Sequence, residues 1–388
     1  VVLRLNHCGN MIAHRTMQMR SLVHGFRIAA AQRRAVDPWV ASGRRMSASA
    51  PAHKFDPVLM AESLTDGNRF ALSKAITLVE STREDHRVTG SEVLERSLQR
   101  ATAKSTGGRK KSFRIGISGP PGVGKSTFIE SLGMHLLNSG HKIAVIAVDP
   151  SSHISGGSIL GDKTRMSELG LHQGAFVRPC PSAGQLGGIA QHTDEIVLLC
   201  ESAGYEIVLI ETVGVGQSEV LVGDISDMFV LLLPPAGGDS LQGMKRGIVE
   251  AADLIVINKA DGDLLLPAKR AQGEYRNGLH YITKQHAWWE PDVLTCSSLR
   301  KESIDKVWEQ CDKFWTLGSD NGAIEKMRGT QRAEWMWKKA ESDINLIMRQ
   351  RPDIEKLAAE FKVLLGRGEH SPRWASEKLV SAFLGKPS

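Results

Sequence analysis

The chain has 388 residues, of which 41% are hydrophobic and 24% charged, with a formal net charge of +6. That length leaves room for one large domain plus appendages, and that composition excludes wholesale disorder. No stretch approaches the roughly 18 consecutive apolar residues of a membrane span, because the densest run, Met228-Phe229-Val230-Leu231-Leu232-Leu233, stops at Pro234-Pro235.

The positive charge is not evenly spread. Residues 1–50 hold Arg4, Arg15, Arg20, Arg27, Arg33, Arg34, Arg44 and Arg45, no lysine, and a single acid, Asp37. The remainder carries 41 basic and 42 acidic side chains, a net of −1, so the body gives no charge argument for a nucleic-acid partner. An Arg-bearing, acid-poor start of this kind is expected of a mitochondrial transit peptide and would direct the protein to the matrix; a disordered tail or mistranslated upstream sequence is the alternative. The five cysteines (8, 180, 200, 296 and 311) are scattered, with no C-x-x-C, so packed reduced thiols are expected rather than a disulfide scaffold or a zinc site.

Residues 51–110 read as an N-terminal helical extension. Leu72, Ile76 and Val79, then Val93, Leu94 and Leu98, recur at helical spacing, and Thr89 with Glu92 three residues on predicts a helix start. Ser105 to Lys111 is a short polar hinge. From 111 to 317, apolar runs of strand length at 113–118, 143–148, 207–211, 228–233, 253–257 and 292–296 alternate with helical segments. This predicts an α/β fold with a mostly parallel sheet covered by helices on both faces. Residues 318–388 are helical in pattern and carry Trp335, Met336, Trp337, Ile344, Ile347, Leu357, Phe361, Leu364 and Leu365. Trp288-Trp289 and Trp335/Trp337 are expected to serve packing or dimer contacts.

The chemistry begins at Gly119-Pro120-Pro121-Gly122-Val123-Gly124-Lys125-Ser126, which fits the phosphate-loop pattern G-x-x-x-x-G-K-[ST] between a strand and a helix from Thr127 closed by Gly140. Glycines let backbone amides converge on phosphate oxygens, and the helix N-terminus adds partial positive charge. Lys125 is expected to reach the terminal phosphates, and the Ser126 hydroxyl to ligate Mg²⁺. Asn258-Lys259-Ala260-Asp261 follows a strand in the form N-K-x-D. A carboxylate in the purine plane accepts from guanine N1–H and the exocyclic amine, a donor pair adenine lacks, so Asp261 would select GTP over ATP. Ser297, Ser298 and Leu299, after the last strand, are candidates for a second base-contacting loop.

Asp149 and Glu211 end strands beside the phosphate loop, where carboxylates hold a metal or its waters. Glu211 opens the stretch that runs to Glu219 through Gly214 and Gln217. The Gly-rich stretches 156–165, with Asp162, and 236–247, with Lys245, are expected to sense the γ-phosphate; ordinary surface loops are the alternative. No glutamine follows an Asp-x-x-Gly, so slow intrinsic turnover is expected. Asp162 is the candidate for positioning the attacking water, and Lys245 for a mobile positive charge.

Taken together, GISGPPGVGKSTFIESLG, AVDPSSHISGGSILGDKTRM, RPCPSAGQLGGIA, LIETVGVGQSE, LLLPPAGGDSLQGMKRGI and NKADGD cover most of 113–262. From about 54 onward the chain resembles the MeaB/methylmalonic aciduria type A proteins. The resemblance implies a P-loop GTPase, binding GTP/GDP and Mg²⁺, that chaperones adenosylcobalamin-dependent methylmalonyl-CoA mutase, gating cofactor loading and protecting or reactivating that enzyme. It also implies a C-terminal helical arm used in homodimerisation, switch I around Asp149 and Asp162, switch II from Glu211 to Glu219, and a further switch at 237–247 facing the mutase. Asp162, Glu211 and Lys245 fall on functionally important positions of that family. Departures are modest: His153 and Ile154 stand where smaller or more polar residues are usual, and Gln191-His192 where a basic residue is common. No cobalamin-binding Asp-x-His-x-x-Gly occurs, so cobalamin is expected on the partner. A metallocentre-assembly GTPase and a P-loop kinase are the competing readings; the first lacks the expected Cys/His motifs, and N-K-x-D opposes the second.

Overall fold

The computed structural model describes residues 56–105, 111–149, 166–181, 192–212, 222–235, 246–282 and 284–385. Seven parallel strands form one sheet: β1 (Phe113–Ser118), β2 (Ile143–Asp149), β3 (Ala175–Pro181), β4 (Ile207–Glu211), β5 (Met228–Leu233), β6 (Leu254–Ile257) and β7 (Asp292–Thr295). They lie in the order β3-β2-β4-β1-β5-β6-β7. The helices in chain order are α1 (Pro57–Thr65), α2 (Arg69–Val79), α3 (Glu84–Ser105), α4 (Lys125–Asn138), α5 (Ser167–Leu171), α6 (Thr193–Ser202), α7 (Arg246–Ala251), α8 (Leu265–Leu279), α9 (Ile304–Asp320), α10 (Ala323–Gln350), α11 (Pro352–Gly366) and α12 (Pro372–Phe383).

The central strands are apolar on both faces because both are covered. Along β5, Met228, Val230 and Leu232 enter one core while Phe229, Leu231 and Leu233 enter the other. The first core packs under α4, α5 and α9 through Phe128, Ile129, Leu132, Leu169, Val307 and Phe314. The second packs under the N-terminal helices and α6 to α8 through Leu64, Leu72, Ile76, Val93, Ile196, Ile248 and Ala268. α4 ends as its sequence dictates, with the Gly140 N–H donating to Leu137 O (2.9 Å) and the His141 N–H to Leu136 O (3.1 Å).

Two local expectations are corrected. β3 lies outside the six strands expected from sequence, and it carries Pro179 and Pro181. It lies at the sheet edge paired only with β2, and an edge strand tolerates proline since part of its N–H row has no partner to lose. Thr89 does not start a helix: α3 already runs from Glu84, and the Thr89 hydroxyl donates to the Asp85 carbonyl one turn back (2.9 Å).

Residues 53–336 form one compact unit and 337–385 a second, with α10 passing from one to the other. The expected start of a C-terminal arm at 318 falls inside α9. The first part of α10 is held by a buried ionic network. The Arg328 guanidinium donates through Nε to Asp227 Oδ1 (2.7 Å) and through a terminal nitrogen to Asp227 Oδ2 and the Ser112 carbonyl, 2.5 Å each. Arg114 donates bidentately to Glu201 (2.7 Å each), and its own amide donates to Asp227 Oδ2 (2.9 Å). Next along the same helix face, Gln331 donates to the Ser226 carbonyl (2.7 Å) and the Trp335 indole to the Asp224 carbonyl (3.0 Å). Within 337–385, Phe361 and His370 pack on the Trp374 ring, at centroid distances of 5.0 and 3.8 Å.

Candidate functional site

The site forms where the C-terminal ends of β1, β4 and β6 meet the N-terminus of α4. In a parallel sheet this edge collects the turns that lead into helices, and the central position of β1 makes it a point where the chain's connections diverge. Gly119 leaves β1 so close to β5 that a Cβ there would sit 2.3 Å from the Leu232 carbonyl oxygen. Gly124, at φ 95°, lets α4 begin at Lys125, and a Cβ on it would meet Asn258 Nδ2 at 2.8 Å. Two glycines of the loop are thus required by close neighbours, Gly119 by the backbone of β5 and Gly124 by the Asn258 side chain.

Lys125 is nearly buried, and its ammonium donates to the carbonyls of Gly119 (2.8 Å) and Pro120 (3.3 Å), folding across the loop. The Ser126 hydroxyl donates to Glu211 Oε1 (3.0 Å). Glu211 is buried as the last residue of β4, in register with Ile117 of β1 and Ala147 of β2. β2 ends two residues later at Asp149. The structure thus gathers Lys125, Ser126 and Glu211 at one strand edge, with the Asp149 backbone at the end of the adjoining strand. Pro121, Val123 and Thr127 occupy the loop and first turn of α4. Asp162, Lys245, residues 213–219, His153, Ile154 and Gln191 lie outside the described residues. His192 is described, and its Nδ1 pairs with Glu195 (2.6 Å).

The second half of the site joins three turns. Asn258, 1% exposed, donates from Nδ2 to the Val123 carbonyl (2.9 Å) and accepts at Oδ1 from the Ser298 amide (3.1 Å) and hydroxyl (2.7 Å). Lys259, in left-handed backbone geometry at φ 60°, donates to the Gly122 carbonyl (2.7 Å). The Ser297 hydroxyl donates to Asp261 Oδ2. Ser297 also pairs with Glu302 across a narrow turn whose tip, Leu299, is 81% exposed. Asn258 thus links the phosphate loop to the 297–299 stretch, nearly 40 residues farther along the sequence. Sequence reasoning missed Ser131 on α4, whose buried hydroxyl donates to the Ser298 carbonyl (2.6 Å). A serine on a helix face gives no signal by itself.

The described cysteines 180, 200, 296 and 311 are free and buried. Burial pushes the Cys296 and Cys311 thiols up to about 12, which keeps them protonated and unreactive. Trp289 is buried, with its indole N–H on the Asp253 carbonyl (2.8 Å) and its ring edge-on to Phe314, in keeping with a packing role. Among the described residues, no helix is long and apolar enough to cross a membrane.

The model of the family "Methylmalonyl Co-A mutase-associated GTPase MeaB" matches residues 72–353. The mouse protein named methylmalonic aciduria type A homolog, mitochondrial, is 46% identical over 322 residues, covering 82% of this chain and 78% of its own. GTPase ArgK of Escherichia coli is 42% identical, covering 81% of this chain and 93% of its own. Among solved structures, one named LAO/AO transport system kinase superposes with a TM-score of 0.63 at 34% identity, covering 84% of this chain and 97% of that one. The match spans both the phosphate loop and the Asn258–Asp261 turn, and the chain accordingly belongs to the MeaB family of GTPases: it is a guanine-nucleotide-binding P-loop enzyme that hydrolyses GTP.

Proposed function

We propose that this protein is a GTP-hydrolysing chaperone of methylmalonyl-CoA mutase, gating adenosylcobalamin loading and protecting or reactivating the mutase in the mitochondrial matrix. The observation that carries the nucleotide half of this reading is the junction in which Asn258 joins Val123 of the phosphate loop to Ser298, beside Asp261. One strut then serves both ends of a guanine nucleotide. The partner half rests on the matched family, whose name associates it with the mutase, and on the mouse and worm relatives named as mitochondrial. The Arg-rich, acid-poor residues 1–50 are consistent with that location.

In this reading the backbone N–H groups of Gly122 to Thr127 cradle the phosphates, and Lys125 exchanges its two loop carbonyls for phosphate oxygens. Asp261, steadied by Ser297, accepts from guanine N1–H and the 2-amine, with Lys259, Ser298 and Leu299 framing the base. The Ser126 hydroxyl beside Glu211, with Asp149 ending the neighbouring strand, is an all-oxygen donor set that suits magnesium. Bound there, the ion would neutralise charge developing between the β- and γ-phosphates. Glu211 and Asp149 would orient its waters, Asp162 the attacking water, and Lys245 would carry charge or signal to the partner. The arm beyond 318 is assigned to homodimerisation.

Turnover by the isolated protein is slow in this account and rises when the mutase orders the catalytic loops. GTP hydrolysis is therefore to be measured with and without purified methylmalonyl-CoA mutase, alongside release of adenosylcobalamin to the apo-mutase. Stimulation by the mutase together with GTP-dependent loading supports the proposal. Unchanged turnover and nucleotide-independent loading would overturn the chaperone role while leaving the GTPase assignment standing. The solved relative is named a kinase, and parallel assays with ATP address that alternative directly.

A further inference from the structure

A closed ring of buried contacts runs through the nucleotide site. The Val123 carbonyl accepts from Asn258, Asn258 Oδ1 accepts from the Ser298 amide and hydroxyl, and the Ser298 carbonyl accepts from the Ser131 hydroxyl at 2.6 Å. Ser131 stands on α4, the helix that starts at Lys125 from the phosphate loop, so the ring returns to its origin through one rigid element. Every side chain in it is at least 95% buried. Outside the ring sit the two groups able to read a base: Asp261, which accepts, and the Leu299 amide, which donates to no described residue.

We infer that Ser131 is a positioning residue for guanine recognition, holding the Ser298 carbonyl so that the free Leu299 amide of the same peptide meets the guanine 6-oxo group. Guanine presents an acceptor at C6 where adenine presents an amine, so a fixed N–H at that place rewards one base and repels the other. Ser131 touches no nucleotide. Its hydroxyl fixes the carbonyl of the residue immediately before that amide, and a buried carbonyl deprived of its donor shifts to find another. Asp261 reads the opposite edge, N1–H and the 2-amine, and its partner Ser297 is anchored without Ser131, by two backbone hydrogen bonds with Glu302 (3.0 and 3.1 Å). Loss of Ser131 should therefore blunt discrimination at C6 and spare discrimination at C2.

This inference rests on the guanine-site reading above, and the experiment separates the two. Hydrolysis by wild type, Ser131→Ala and Ser131→Cys is measured over a concentration range of GTP, of 6-thio-GTP (a weaker acceptor at C6) and of ITP, which lacks the 2-amine. In wild type, GTP is preferred over both analogues. In Ser131→Ala the preference over 6-thio-GTP shrinks by roughly fivefold, the equivalent of one net hydrogen bond, through KM with kcat retained. Its preference over ITP stays at the wild-type value, and the cysteine, a poorer donor, falls between. An unchanged 6-thio-GTP preference, or an equal loss for all three nucleotides, overturns the role given to Ser131. Absence of any preference in wild type would instead overturn the base site itself.

Discussion

At the scale of single residues, two glycines of the site, Gly119 and Gly124, mark close approaches that a side chain would block. Gly124 combines positive φ with a neighbour, Asn258 Nδ2, that a methyl group would strike. Gly124→Ala is expected to cost about 1–2 kcal/mol of stability from the left-handed backbone alone. It should also weaken GTP binding more than this, because Asn258 must move and release Ser298; calorimetric titration with GTP beside a thermal melt distinguishes the two effects. The glycine pattern was legible in sequence because G-x-x-x-x-G-K-[ST] states a backbone requirement. The work of Asn258 was not. Sequence reading places it among the nucleotide contacts; the folded chain adds that its buried amide group ties Val123 to Ser298, residues far apart in sequence.

At the scale of elements, periodicity located the six strands β1, β2, β4, β5, β6 and β7, because runs such as Met228–Leu233 are buried on both faces and read as continuous apolar sequence. It failed at β3 for an equally physical reason: an edge strand with two prolines has the composition of a loop. The attachment of α10 was beyond sequence altogether. Arg328 meets Asp227 across 101 residues, and nothing in a local pattern pairs them. Both side chains are almost wholly excluded from solvent, so removing one leaves a buried charge. Arg328→Ala is expected to destabilise the protein by about 3–5 kcal/mol, and chemical denaturation followed by far-UV circular dichroism checks it. A loss below about 1 kcal/mol would mean the pair behaves like an exposed one.

At the scale of the whole molecule, a P-loop unit of residues 53–336 is followed by a helical unit of 337–385, and family membership extends across the junction, since the matched model runs to 353. The family was readable from six motifs concentrated between 113 and 262, where backbone and phosphate chemistry constrain the residues. The helical ends, constrained only by packing, carried less. In the proposed function one site grips phosphate at Lys125 and chooses guanine at Asp261. The most direct test is steady-state hydrolysis of GTP and ATP by wild type, Lys125→Ala and Asp261→Ala in magnesium buffer. Wild type should hydrolyse GTP in strong preference to ATP, and Lys125→Ala should lose turnover by roughly 100-fold or more. Asp261→Ala should give up roughly 100-fold of the guanine preference. Equal use of the two nucleotides by wild type, or undiminished turnover without Lys125, would contradict the account.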